Sequence, residues 1–159
     1  MNATITADPV HSKALPELAA KLLTARQESL VLYQKLAALK PRARIEPVQQ
    51  HLLQRFRQAL VDYLALGLFE VYQALEEQPA DSPYRQARDL ARRFYARIAR
   101  TTQAALAFHD RYDSDLSTPT LAELGEELSR LGEHLAVRIE LEDRILAAVR
   151  KGSRTSVAA

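Results

Sequence analysis

The 159 residues carry 22 lysines and arginines against 20 aspartates and glutamates, and 47% of them are apolar. A net charge of +2 on so apolar a chain excludes a highly charged disordered polypeptide and fits one small folded domain. The absence of cysteine excludes a disulfide framework, a thiolate metal site and a cysteine nucleophile. The N-terminal stretch MNATITADPVHSK has no basic start followed by an apolar run, and no stretch is long enough to span a bilayer. A soluble protein retained in the cytoplasm is expected.

Residues 1–14 read as a flexible tail. The first helix is expected from about Leu15, with Pro16 in its first turn, and its apolar positions Leu18, Leu22, Ala25, Leu32 and Leu36 recur at helical spacing. Lys40-Pro41 ends it. After an arginine-containing link, Pro47 opens a long second helix whose seam is Leu52, Phe56, Leu60, Tyr63, Gly67, Val71 and Ala74. The stretch PADSP (79–83) breaks that helix. Asp81 or Ser82 can cap a third, with Pro83 in its first turn and Ala87, Leu90, Phe94, Ile98, Ala105 and Phe108 on its inner face, ending near Tyr112. The loop DSDLSTP follows. Thr118 to Thr120 supply caps for a fourth helix, Thr120 and Glu123 having capping-box spacing, and its stripe is Leu121, Leu124, Leu128, Leu131 and Leu135. Residues 153–159 read as a second tail. No segment alternates with a period of two, so the expected fold is all-α, an antiparallel four-helix bundle formed by a single domain over 15–152.

Two places depart from ordinary bundle patterning. The stretch Ala59–Phe69, ALVDYLALGLF, is apolar around almost its whole circumference, with Asp62 its only charge. A surface helix is normally apolar on one stripe, so this turn is either a wholly buried centre or presents an apolar patch to a partner. In the fourth helix, the spacing that selects Leu128, Leu131 and Leu135 next selects Arg138 and Glu142 before returning to Ile145. Arg138 and Glu142 are i,i+4 neighbours. They form a structural ion pair, line a polar pocket inside the bundle, or mark a rotation of the stripe towards Val137 and Leu141.

Signals for chemistry are sparse. No Glu-x-x-His motif of a carboxylate di-iron bundle occurs, only His109 and Asp113 have metal-ligand spacing on a helix, and His51 and His134 precede Arg55 and Arg138 by four residues. Neither a glycine-rich phosphate loop nor a serine elbow is present. No enzymatic activity, cofactor or metal is expected. The third helix carries Arg85, Arg88 and Arg92 on one line and Arg93, Arg97 and Arg100 on another, with Phe94 and Tyr95 between. Such a stripe either contacts phosphates or is a solvated face, and the near-neutral chain favours the solvated face, so no direct nucleic-acid binding is expected.

Ordered blocks across the chain carry a family resemblance: Leu30-Val31, Tyr33 and Leu36 leading to Lys40-Pro41; Phe56, Leu60-Val61-Asp62-Tyr63-Leu64, Gly67, Phe69 and Tyr72; Tyr112-Asp113-Ser114; and Leu128-Ser129, Gly132-Glu133, Leu135, Arg138 and Leu141-Glu142-Asp143. In these the chain resembles the Rsd/AlgQ family of bacterial anti-sigma regulators. It departs from the family pattern at Leu68, where the family has histidine. The resemblance implies an all-helical protein that binds the primary sigma factor of RNA polymerase and sequesters its C-terminal promoter-recognition domain. The contact face it implies contains Asp62, Ala65, Leu66 and Phe69, which share one side of the second helix. Asp62 would meet a sigma arginine and Phe69 would be an aromatic anchor. The alternatives are a bundle that binds a small ligand or metal around Arg138 and Glu142, and a nucleic-acid-binding protein. Self-association through the apolar face would give a two-fold homodimer.

Overall fold

The computed structural model describes residues 9–39, 46–113 and 121–158. Its elements are α1 (Pro9–Ala37), α2 (Pro47–Leu66), a π-helical segment (Gly67–Val71), α3 (Tyr72–Glu76), α4 (Arg85–Arg111) and α5 (Leu121–Ala158). The α2, π and α3 segments form one continuous rod, so four rods pack together, and no strand occurs among the described residues. α4 lies along α5 and α1 along α2, while α1 against α5 and α2 against α4 close the bundle.

The core is layered. At one end, rings of Tyr33, Phe56, Phe108 and Tyr112 form a chain, with successive centroids 6.0, 5.7 and 4.9 Å apart. The tilted and edge-on arrangement suits the ring quadrupoles. Tyr33 also donates its hydroxyl proton to the Leu128 carbonyl at 2.8 Å, and a side chain at Gly132 would collide with that hydroxyl. Gly132 is therefore a packing requirement. At the opposite end Leu15, Leu75, Tyr84, Ala87, Ile145 and Val149 are buried together. Between these apolar layers lies a polar one, built on Arg138 and Glu142.

The expected seams are buried with few exceptions: Phe56, Leu60, Tyr63, Gly67, Val71 and Ala74 on the second rod, and Leu124, Leu128, Leu131 and Leu135 on α5. The rod ends differ. α1 begins at Pro9, so residues 9–14 of the expected tail are helical and Pro16 lies inside the helix rather than in its first turn. Leu15, fully buried, ties this turn to the core, while Pro16 faces solvent. α5 likewise continues through Ala158, beyond the expected end at 152. Gly152 packs on the Pro83 carbonyl, and the Ser153 and Tyr84 hydroxyls lie 3.2 Å apart, which holds this last stretch to the bundle.

Pro47 opens α2 as expected, and Gln49 Oε1 accepts from the Glu46 backbone N–H at 2.9 Å in a capping box. Before α4, the Ser82 hydroxyl accepts from the Tyr84 N–H at 3.0 Å, so it closes the preceding turn, and the helix starts at Arg85. The caps expected at Thr118 to Thr120 lie outside the described residues.

Candidate functional site

The apolar girth of Ala59–Phe69 is divided between core and surface. Leu60, Tyr63, Leu64 and Gly67 are buried, Ala65 and Leu66 are half-buried with Leu66 packed against the core, and Asp62 is exposed. Asp62 accepts a 2.9 Å hydrogen bond from Gln58 Nε2, one turn earlier on the same side. Phe69 is 66% exposed. All four residues of the expected contact face thus reach the surface to some degree, with Asp62 and Phe69 outermost.

The π segment shapes this face. A π turn inserts one extra residue into the helical repeat. Gly67 and Val71 stay buried while the three residues between them, Leu68, Phe69 and Glu70, are all exposed. Gly67 suits the inner wall because a β-carbon there would sit 3.4 Å from both Arg138 Nη2 and Tyr72 Cε2. The outward turn and the buried ion pair are consequently in contact.

Arg138 and Glu142 lie in the seam itself, 1% and 0% exposed. Arg138 Nε donates to Glu142 Oε2 at 3.1 Å, and its Nη1 donates to the hydroxyls of Thr101 at 3.1 Å and Thr102 at 2.8 Å. Glu142 also accepts from the Tyr72 hydroxyl at 3.1 Å and from the Tyr63 hydroxyl, and Arg26 Nη1 stands 3.5 Å from its other oxygen. The Arg138 guanidinium lies over the Tyr63 ring, 5.3 Å from its centroid. Burial pushes both tyrosine phenols well above their ordinary range, and the Glu142 charge adds to the shift. Burial alone would lower the Arg138 pKa, but Glu142 and the two phenols hold it above its usual value. A buried charge needs this density of partners, because removing either ion would strand the other in a low dielectric. Of the two residues on the alternative stripe, Leu141 is buried and Val137 is exposed, so the core face widens to take in Leu141 while Arg138 and Glu142 stay inside.

The histidine and arginine signals also resolve. Arg57, buried although the sequence pattern gave it no special place, sets Nη2 3.2 Å from His109 Nε2 and 2.8 Å from Asp113 Oδ1, occupying the position between them. Among the described residues no group of three potential ligands could hold a metal. His134 is exposed while Arg138 turns inward, so these two do not share a face as their spacing suggests. On α4, Arg92 pairs with Glu76 at 3.0 Å and Arg88 donates to the Gln78 carbonyl, whereas Arg85, Arg93, Arg97 and Arg100 are exposed.

Sequence reasoning missed the partners of the ion pair. Thr101 was the legible one, since it falls on the α4 seam between Ile98 and Ala105, where a hydroxyl among apolar residues signals a buried polar contact. Arg26 and Thr102 lie beside the seams and carry no such signal.

Comparison with known proteins follows the same blocks. A family model described as regulator of RNA polymerase sigma(70) subunit, Rsd/AlgQ, matches residues 11–150. The chain is 34% identical over 134 residues to proteins named regulator of sigma D from Yersinia enterocolitica serotype O:8 / biotype 1B and Yersinia pseudotuberculosis serotype O:1b, spanning 82% of this chain and 78% of each relative. The protein of that name from Enterobacter sp. (strain 638) is 31% identical, over 82% of this chain and 79% of its own. No solved structure matches the chain.

Proposed function

Because the chain belongs to the Rsd/AlgQ family, regulators of the RNA polymerase sigma(70) subunit, we propose that it binds the primary sigma factor and keeps its C-terminal promoter-recognition domain from core polymerase and promoter DNA. Such sequestration needs no reaction and no cofactor. A complex that buries the promoter-reading surface removes sigma from competition in proportion to its occupancy. Polymerase works in the cytoplasm, and no described helix is long and apolar enough to cross a membrane.

The observation that carries this reading is Phe69, an aromatic side chain two-thirds exposed on a rod whose inner face is packed into the bundle. Buried aromatic anchors dominate interface energies, and Asp62 on the same rod supplies charge for a basic, DNA-reading partner. Glu70, exposed beside Phe69, adds to that field. The pair Asp62 and Phe69 forms the centre of the proposed contact, with Ala65 and Leu66 as its half-buried floor.

A pull-down of purified sigma fragments with the wild-type chain and with Phe69→Ala tests partner and surface together. Retention of the C-terminal fragment by the wild type and its loss by the variant is the expected result. Asp62→Ala should weaken binding and flatten its dependence on salt; an unchanged salt response would remove Asp62 from the contact. Sizing the free chain at rising concentration checks whether a homodimer uses the same face.

A further inference from the structure

A groove of about 860 Å3 lies between the π segment with α3 and the middle of α4. Its size is that of a small-molecule pocket. Leu68, Ala91, Tyr95, Ile98 and Ala99 give it apolar walls, while Tyr72, Thr102 and Arg138 line its inner side. This places an almost fully buried guanidinium against an apolar recess.

Arg138 is incompletely used by the protein. Its Nε and Nη1 donate to Glu142, Thr101 and Thr102, but its Nη2 donates to none of the described residues. Arg138 lines the groove and its Nη2 is not fully enclosed, so this nitrogen has capacity for one more anionic oxygen there. The Glu142 carboxylate is bonded to Nε and accepts from both phenols, and it does not bond Nη2. At the groove mouth Glu76 is held by Arg92 at 3.0 Å. Glu76 is thereby matched, and the apolar walls cannot solvate a multiply charged anion.

We propose that this groove binds a small apolar monocarboxylate, its carboxylate on Arg138 Nη2 beside Thr102 and its hydrocarbon along Leu68, Tyr95 and Ile98. A carboxylate oxygen can accept a charge-assisted hydrogen bond from Nη2 and brings a single charge. This site stands on the groove and on Arg138, and holds whether or not sigma docks at Phe69.

The test titrates the full chain with octanoate and, separately, with 1-octanol, the neutral molecule of matching chain length, and follows backbone amide NMR shifts. Octanoate is expected to bind at least tenfold tighter than 1-octanol, with the largest shifts at Leu68, Ile98 and Thr102. Ala99→Phe, which fills the recess, should abolish both. The double variant Arg138→Met/Glu142→Leu removes the ion pair without leaving a lone charge, and should equalise the two ligands. Equal affinities for the wild-type chain, or unchanged octanoate binding by a folded Ala99→Phe, would overturn the proposal. So would a persisting octanoate preference in the folded double variant. If the double variant does not fold, the wild-type comparison and Ala99→Phe decide alone.

Discussion

Truncating Phe69 to alanine separates the surface role of this residue from a core role by magnitude. A phenylalanine buries roughly 200 Å2 when fully enclosed. With 66% of its surface exposed in the free chain, about 130 Å2 remains for a partner to cover and about 70 Å2 is already covered. At ~25 cal/mol per Å2, these areas correspond to about 3 kcal/mol in an interface and at most about 2 kcal/mol in folding. The better helix propensity of alanine offsets up to ~0.7 kcal/mol of the folding loss. Phe69→Ala should therefore weaken sigma binding by about 100-fold, since each 1.4 kcal/mol is tenfold, and destabilise the free chain by little more than 1 kcal/mol. Calorimetric titration of the sigma C-terminal domain gives the first quantity and urea unfolding the second. A variant that binds within twofold of wild type would refute the docking face. One that loses several kcal/mol of stability, with binding falling in proportion, would show that the rod is packed differently from this structure.

Three further outcomes follow from the interior. Arg138→Met alone leaves Glu142 charged and fully buried, so it should cost about 3–5 kcal/mol in urea unfolding, while adding Glu142→Leu should recover only part of that loss, because the Tyr63 and Tyr72 hydroxyls then lose their acceptor. Gly132→Ala drives a methyl into the Tyr33 hydroxyl and should cost about 1–3 kcal/mol; Tyr33→Phe in the same chain should relieve part of it, measurable as a double-mutant coupling. Tyr63 and Tyr72 have folded pKa values raised above the unfolded value near 10, so the unfolded chain loses protons first as pH climbs past 10. Stability should be level in this respect below pH 9 and fall above pH 10 by up to about 1.4 kcal/mol per tyrosine per pH unit, a slope that Tyr63→Phe/Tyr72→Phe should flatten.

Much of the architecture was legible because helix formation depends on local periodicity. The seam from Phe56 to Ala74 and the leucine ladder of α5 are read directly from three- and four-residue spacing, and Pro47 marks a helix start by its fixed φ. The rod ends were less legible. Whether residues 9–14 and 153–158 stay helical depends on what Leu15 and Ser153 touch, and those contacts come from distant parts of the chain. The π segment was invisible for a related reason. Its wide turn suits the close packing of Gly67 against Arg138 and Tyr72, a contact between rods that no local spacing encodes.

The candidate face shows the same division. That Ala59–Phe69 has more apolar circumference than one seam needs is a property of its composition. Which part is left outside is decided by the neighbouring rods, which cover Leu64 fully and Leu66 partly, leaving Phe69 exposed. The spacing of Arg138 and Glu142 likewise identifies a pair but leaves open a structural ion pair, a polar pocket or a rotation of the stripe.

The sequence by itself therefore determined the four helices, their inner stripes and the family, because each of these is written in residue order and short-range spacing. Only the tertiary structure decided that Arg138 is held by Glu142 and two threonines, with Tyr63 and Tyr72 gathered on Glu142, that Arg57 stands between His109 and Asp113, and that Phe69 faces outward. Those outcomes depend on which side chains from separate rods arrive at the same depth, where desolvation makes every unpaired charge costly and leaves few arrangements that satisfy them all.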